Sequence, residues 1–165
     1  MKYAGFWARV LAGLIDVVAL IVPSITIVLL SEPELISDPS NHQEKPLTYF
    51  LLVGLWAVYQ GGMESSRLQA TLGKLAIKVY VTDLRGRRLS FPTAAVRCWP
   101  MYLGNLALGL NAMVQTDIGD TFVMAALGMS FWACLYIVIS PQNQGLHDWI
   151  SGTFVLAKQG PVAAE

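Results

Sequence analysis

VLAGLIDVVALIVPSITIVLL, residues 10–30, decides the fold class. A run of about 20 apolar residues is what a helix needs to cross the hydrocarbon core of a bilayer. Arg9 stands at its N-terminal edge and Asp16 lies inside it. A carboxylate at that depth is costly, so it normally faces a partner or a water-filled cavity rather than lipid. Seven residues make nearly two helical turns, which puts Arg9 and Asp16 on one face with Gly13 between them; the rise of about 10 Å is too long for a simple ion pair. Helical side chains tilt toward the N-terminus, so Asp16 leans toward the Arg9 end, while Arg9 can snorkel out to the interface. Asp16 therefore calls for a partner from elsewhere in the chain.

The rest of the composition agrees with a membrane protein. Of 165 residues, 55% are hydrophobic and 13% charged, where soluble domains carry about 25% charged residues. The predicted architecture is an all-α membrane protein, a single domain over residues 1–165 with about four transmembrane helices at 10–30, 47–63, 94–114 and 121–140. The formal net charge is zero, so nothing points to nucleic acid. Cys98 and Cys134 are isolated in apolar stretches and read as buried small side chains rather than a disulfide or metal pair. Lys2 and Arg9 resemble the charged start of a secretory signal, but the apolar run is too long and contains Asp16, so it reads as an uncleaved first helix.

Tyr3, Phe6 and Trp7 beside Lys2 and Arg9 suit the headgroup level at a helix entry. Gly5, Ala8, Ala12, Gly13 and Ala19 supply small surfaces for close helix approach, and Pro23 predicts a kink. Residues 31–46 form a polar loop; adding His42 to its acids does not give metal-ligand spacing. The second span is expected to end at Gln60, Gly61 and Gly62, with Glu64 and Arg67 just outside. Residues 64–93 form the polar centre. IKVYVTD, residues 77–83, alternates in strand fashion, Leu84 to Arg87 reads as a turn, and Arg88 to Phe91 is expected to return as a second strand, giving a small cytoplasmic β-hairpin. Lys74, Lys78, Arg85, Arg87 and Arg88 on it either touch anionic lipid headgroups or serve as orienting charge. Pro92 near Ser90 or Thr93 reads as a helix start. The third span begins amphipathically, places Arg97 near headgroup depth and bends at Pro100; a re-entrant or surface helix is the alternative. After the last span, Leu146 to Ser151 predicts a helical turn and Thr153 to Ala157 a third short strand.

With four spans, ten of the 11 basic residues fall on one side and Lys45 on the other. The excess of Lys and Arg predicts a multi-pass protein of the inner cell membrane with both termini cytoplasmic.

Three segments carry a family resemblance: FWARVLAGLIDVV at 6–18, LQATLGKLAIKVYVTDLRGRRLSF at 68–91 and QGLHDWISGTFVL at 144–156. Together and in this order the chain resembles the RDD family of bacterial membrane proteins, named for an arginine and an aspartate in the first helix and a second aspartate near the end. Those positions match Arg9, Asp16 and Asp148. The strongest parts are the Arg9–Asp16 spacing, the Gln69–Lys74 segment with Gly73, and the Gln144–Gly152 segment with Gly145 and His147. The resemblance implies transport, with some family members linked to sodium–proton exchange.

The residues themselves predict a polar cluster at the cytoplasmic end of the bundle, where Arg9, Arg67, Arg97, His147 and Asp148 converge and Arg9 or Arg97 pairs with Asp16 and Asp148. Two roles stand side by side: a lock between helices, or ion and proton handling by Asp16. No catalytic constellation accompanies His147–Asp148, since adjacent helical residues do not face each other. Two histidines on opposite sides argue against zinc, and Gly73-Lys74 lacks the glycine run of a phosphate loop. The expectation is a non-enzymatic protein with no cofactor or metal, partnered by lipid and by a second copy or another membrane protein. It either transports a small ion or solute, or acts as a scaffold or accessory subunit that holds a partner protein or anionic lipid.

Overall fold

The computed structural model describes residues 3–38, 45–114 and 118–158. Lys2, His42 and Asp117 lie outside them. The chain runs α1 (Phe6–Ser31), α2 (Glu34–Ser37), α3 (Pro46–Ser65), α4 (Leu72–Ala76), β1 (Val79–Asp83), α5 (Phe91–Arg97), α6 (Trp99–Val114), α7 (Gly119–Ile139), α8 (Leu146–Ile150) and β2 (Thr153–Ala157).

Two of these helices, α1 and α7, are long and apolar enough to cross a bilayer. The most apolar stretch of each has a mean hydropathy of 2.5 and 2.2, yet only 11% and 22% of those residues are buried within the protein. A core helix of a soluble domain would be buried; these present Leu14, Val18, Val22, Phe131, Trp132 and Val138 outward. The four long helices follow one another in packing, α1 on α3, α3 on α6 and α6 on α7, while α1 also rests on α4. No comparable packing joins α1 to α7.

α1 continues through Pro23 without interruption. α3 does not stop at its glycines but runs to Ser65. At Gly61 a side chain would press within 3.0 Å of Phe91 and 3.1 Å of Ala95, so the glycine sets how closely α3 and α5 approach. The third predicted span is two helices, broken at Cys98. Pro100 is the reason: it has no N–H to continue the ladder, and its ring would collide with the carbonyl of Val96 four residues earlier.

The expected hairpin is not formed. β1 pairs antiparallel with β2, from Val79 opposite Ala157 to Asp83 opposite Thr153, and the residues of Tyr3 and Ala4 add to the far side of β2. Arg88 to Phe91 is diverted by its helix signal: Ser90 Oγ accepts the Thr93 N–H at 3.3 Å as the N-cap of α5, and Phe91 is already its first residue. Capping satisfies an amide that the helix start leaves open, and here it outcompetes a strand. The segment at Thr153, expected as a third strand, is thus the only strand paired with β1 among the described residues. Under this sheet Val79, Val81 and Val155 pack with Ala4, Leu89 and Ala94.

Candidate functional site

Two buried polar networks meet at one end of the bundle. The first is centred on Asp16, which is 3% exposed. Tyr59 donates its hydroxyl to Oδ1 at 2.6 Å, Thr71 donates its hydroxyl to Oδ2 at 2.6 Å, and the backbone N–H of Gly73 donates to Oδ1 at 2.7 Å. Tyr59 in turn accepts the Leu72 N–H at 3.1 Å. Asp16 is thus held by neutral donors from α3 and the start of α4. Neither Arg9 nor Arg97 pairs with it, contrary to the expected pairing. The physical reason is reach: the N-terminal tilt of Arg9 carries its guanidinium away from Asp16, out past the start of α1.

The second network is centred on Arg97, whose side chain is buried at the end of α5. Nη1 donates to Glu64 Oε2 at 2.5 Å, Nη2 to Asp148 Oδ1 at 2.5 Å and Nε to Thr153 Oγ1 at 3.1 Å. Arg9 donates to the other Asp148 oxygen and to the Asn143 carbonyl, the latter at 2.5 Å. Lys74 pairs with the remaining Glu64 oxygen. Asp148 also takes the Gly145 N–H at 3.1 Å, closing the first turn of α8. Glu64 and Asp148 are fully buried, so the three cations supply the compensation that buried carboxylates require.

Burial by itself would push the Asp148 carboxyl up, but Arg97 and then Arg9 outweigh it and hold the group well below the usual carboxylate range. Asp148 is therefore a fixed negative charge rather than a proton carrier. His147 is lowered as well, which in a base favours the neutral form: burial is the largest cause, Arg97, Arg9 and Lys74 add to it against the pull of Asp148, and the imidazole is pushed down to about 4. Its Nε2 lies 3.4 Å from Asp148 Oδ1, while its Nδ1 has no partner among the described residues.

Of the other expected site residues, Gln69 braces β1, with Nε2 donating to the Val81 carbonyl at 3.0 Å. Gln144 Nε2 donates to the Thr153 carbonyl at 2.9 Å. Gly73 and Gly145 are positions of close approach, where a Cβ would fall 2.0 Å from the Ala12 carbonyl oxygen and 2.4 Å from His147 Cε1. Arg67 stands exposed outside both networks. Lys74, expected at the headgroups, is turned inward to Glu64, and Arg87 pairs with Asp83 at 3.0 Å. Sequence reading missed Glu64, Tyr59, Thr71 and Thr153. The spacing of Gln60 and Glu64, one turn apart at the end of an apolar helix, was the available signal.

Between the networks lies a cavity of about 270 Å³. Its lining is mixed: Arg9, Asp16, Lys74, Arg97 and His147 are polar, and Val10, Val17, Trp56, Met101 and Ile137 are apolar. α1, α3, α6 and α7 all contribute to it. Among the described residues no group of three His, Cys, Asp or Glu side chains is placed to hold a metal ion.

The RDD family model matches residues 3–152, from the strand-like N-terminus through the Asp148 helix, which takes in both networks except Thr153. The chain belongs to the RDD family. It is also similar to the uncharacterized protein YxaI of Bacillus subtilis (strain 168), at 26% identity over 172 residues, covering 95% of this chain and 99% of that protein. No solved structure matches it. Family membership together with the two apolar helices points to a membrane protein.

Proposed function

We propose that this RDD-family chain is a multi-pass, non-enzymatic protein of the cell membrane that carries a small ion or solute through the cavity between α1 and α7. The topology in this reading has four spans, with α5 and α6 together supplying the third and both termini in the cytoplasm. α6 alone has 16 residues, about 24 Å of helix against a hydrocarbon core of about 30 Å. The observation that carries the reading is the cavity itself: a space in a bundle with lipid-facing helices, lined by four charged side chains, which an apolar bundle otherwise excludes. Four helices enclose little pathway, so an oligomer or partner membrane protein completes it. The version in which Asp16 exchanges protons against a cation is tested in proteoliposomes: flux should be present for the native chain and vanish in Asp16→Asn. Flux that survives the change removes Asp16 from the mechanism.

The scaffold reading draws support from Lys78, Arg85 and Arg88, which stand exposed on the sheet side and suit anionic headgroups or a partner. Crosslinking that returns only the chain itself argues against a partner protein.

A further inference from the structure

The cavity is lined by basic and by apolar side chains together, the two chemistries of an amphiphile. We infer that it binds a single-chain anionic amphiphile, its phosphate or carboxylate head on Lys74, Arg9 and Arg97 and its hydrocarbon chain along Val10, Val17 and Met101. The inference goes beyond the small ion or solute of the proposed function, and it rests on the same reading of this cavity as a binding site.

Spare donors point to an anion. Three cations, Arg9, Lys74 and Arg97, line the cavity beside one carboxylate, Asp16. Glu64 and Asp148, which balance the cations, lie behind them and do not reach the surface of the space. Both oxygens of Asp16 already accept hydrogen bonds from Tyr59, Thr71 and Gly73. An ammonium has three N–H donors, and among the described residues Lys74 directs them to Glu64 alone. A phosphate monoester head matches these cations.

Shape points to a chain. A volume of about 270 Å³ sits at the small end of ligand pockets and suits one head and the first part of one chain. The apolar wall is open: Val10, Val17 and Met101 are 45%, 47% and 44% exposed. A hydrocarbon tail can therefore continue out between α1 and α7 into the surrounding lipid, where a wholly polar solute gains nothing.

Dodecyl phosphate is a suitable probe, added to the full chain purified in excess dodecyl maltoside, with binding followed by native mass spectrometry and by competition. Gly13 lines the cavity, and a Cβ there meets nothing within 4 Å, so Gly13→Phe fills the space while leaving both ionic networks untouched. Saturable binding is expected despite the neutral detergent, weakened about tenfold or more in Gly13→Phe and in Lys74→Gln. Native-like binding by a folded Gly13→Phe would place the ligand elsewhere and overturn the inference. So would failure to bind against the maltoside, which would remove the role of charge. Inorganic phosphate competing at the same concentration as dodecyl phosphate would identify a free anion and overturn the amphiphile. Binding without flux in proteoliposomes overturns transport and leaves this inference standing; flux without dodecyl phosphate binding does the reverse.

Discussion

The backbone N–H of Gly73 donates to the Asp16 carboxylate at 2.7 Å, across 57 residues of chain. The approach is so close that a Cβ on Gly73 would lie 2.0 Å from the Ala12 carbonyl oxygen. The aspartate of the first helix and the glycine of the central segment are therefore two halves of one contact, which docks α4 onto α1.

Gly73→Ala should separate these halves. The clash is with backbone, which cannot swing aside as a side chain can, so the cost should be at least about 2 kcal/mol. A lowered melting temperature in detergent checks it; an unchanged one would mean that α4 is free to shift.

Substitutions of Asp16 should differ sharply from one another. Asparagine keeps an oxygen for Gly73 and Tyr59, and the Thr71 hydroxyl can turn to accept from the new amide, so the fold should lose only about 1 kcal/mol. Leucine strands three donors, Tyr59, Thr71 and Gly73, at about 1–3 kcal/mol for each buried group left unmet. Comparing thermal melts of the two variants measures the difference, and it licenses Asp16→Asn as the functional probe.

Arg97 joins Glu64 on α3 to Asp148 on α8. Arg97→Met should cost about 3–5 kcal/mol, because two buried carboxylates lose a shared cation. Arg97→Lys should recover little of this, since one ammonium cannot span both carboxylates and Thr153 in the plane of a guanidinium. Melting temperatures of the two variants, read together, test the bridging role: a stable lysine variant would reduce Arg97 to a point charge.

Acidification should weaken the fold through His147. Its folded imidazole titrates at about 4, below the ordinary value of 6.5. As pH falls through 6.5 the unfolded chain gains a proton that the folded one does not, so stability declines between about 6.5 and 4 and levels off below that. Asp148 contributes in the same sense at still lower pH, since its folded carboxyl is held below its ordinary value and its stabilisation is lost as that group protonates. His147→Gln should flatten the decline between 6.5 and 4; an identical pH profile would assign it to other groups.

Much of the helical framework was legible because its signals are local. Residues 10–30 declare an apolar helix by length and composition, and α1 occupies Phe6–Ser31; residues 121–140 do the same, and α7 occupies Gly119–Ile139. Ser90 and Pro92 announce the start of α5. Where two local signals compete, as at Arg88 to Phe91, the turn before it misled, because a strand needs a partner that no local pattern names.

The sequence by itself determined that Asp16 and Asp148 must be answered, since a carboxylate carried into an apolar bundle has no water to meet it. Only the tertiary structure decided which groups answer. Asp16 takes Tyr59, Thr71 and the Gly73 amide, while both arginines go to Asp148 and Glu64 joins them with Lys74. Those choices depend on where α3, α4, α5 and α8 come to rest around α1, and hydrogen bonding selects partners by distance and direction, which spacing along a chain does not fix.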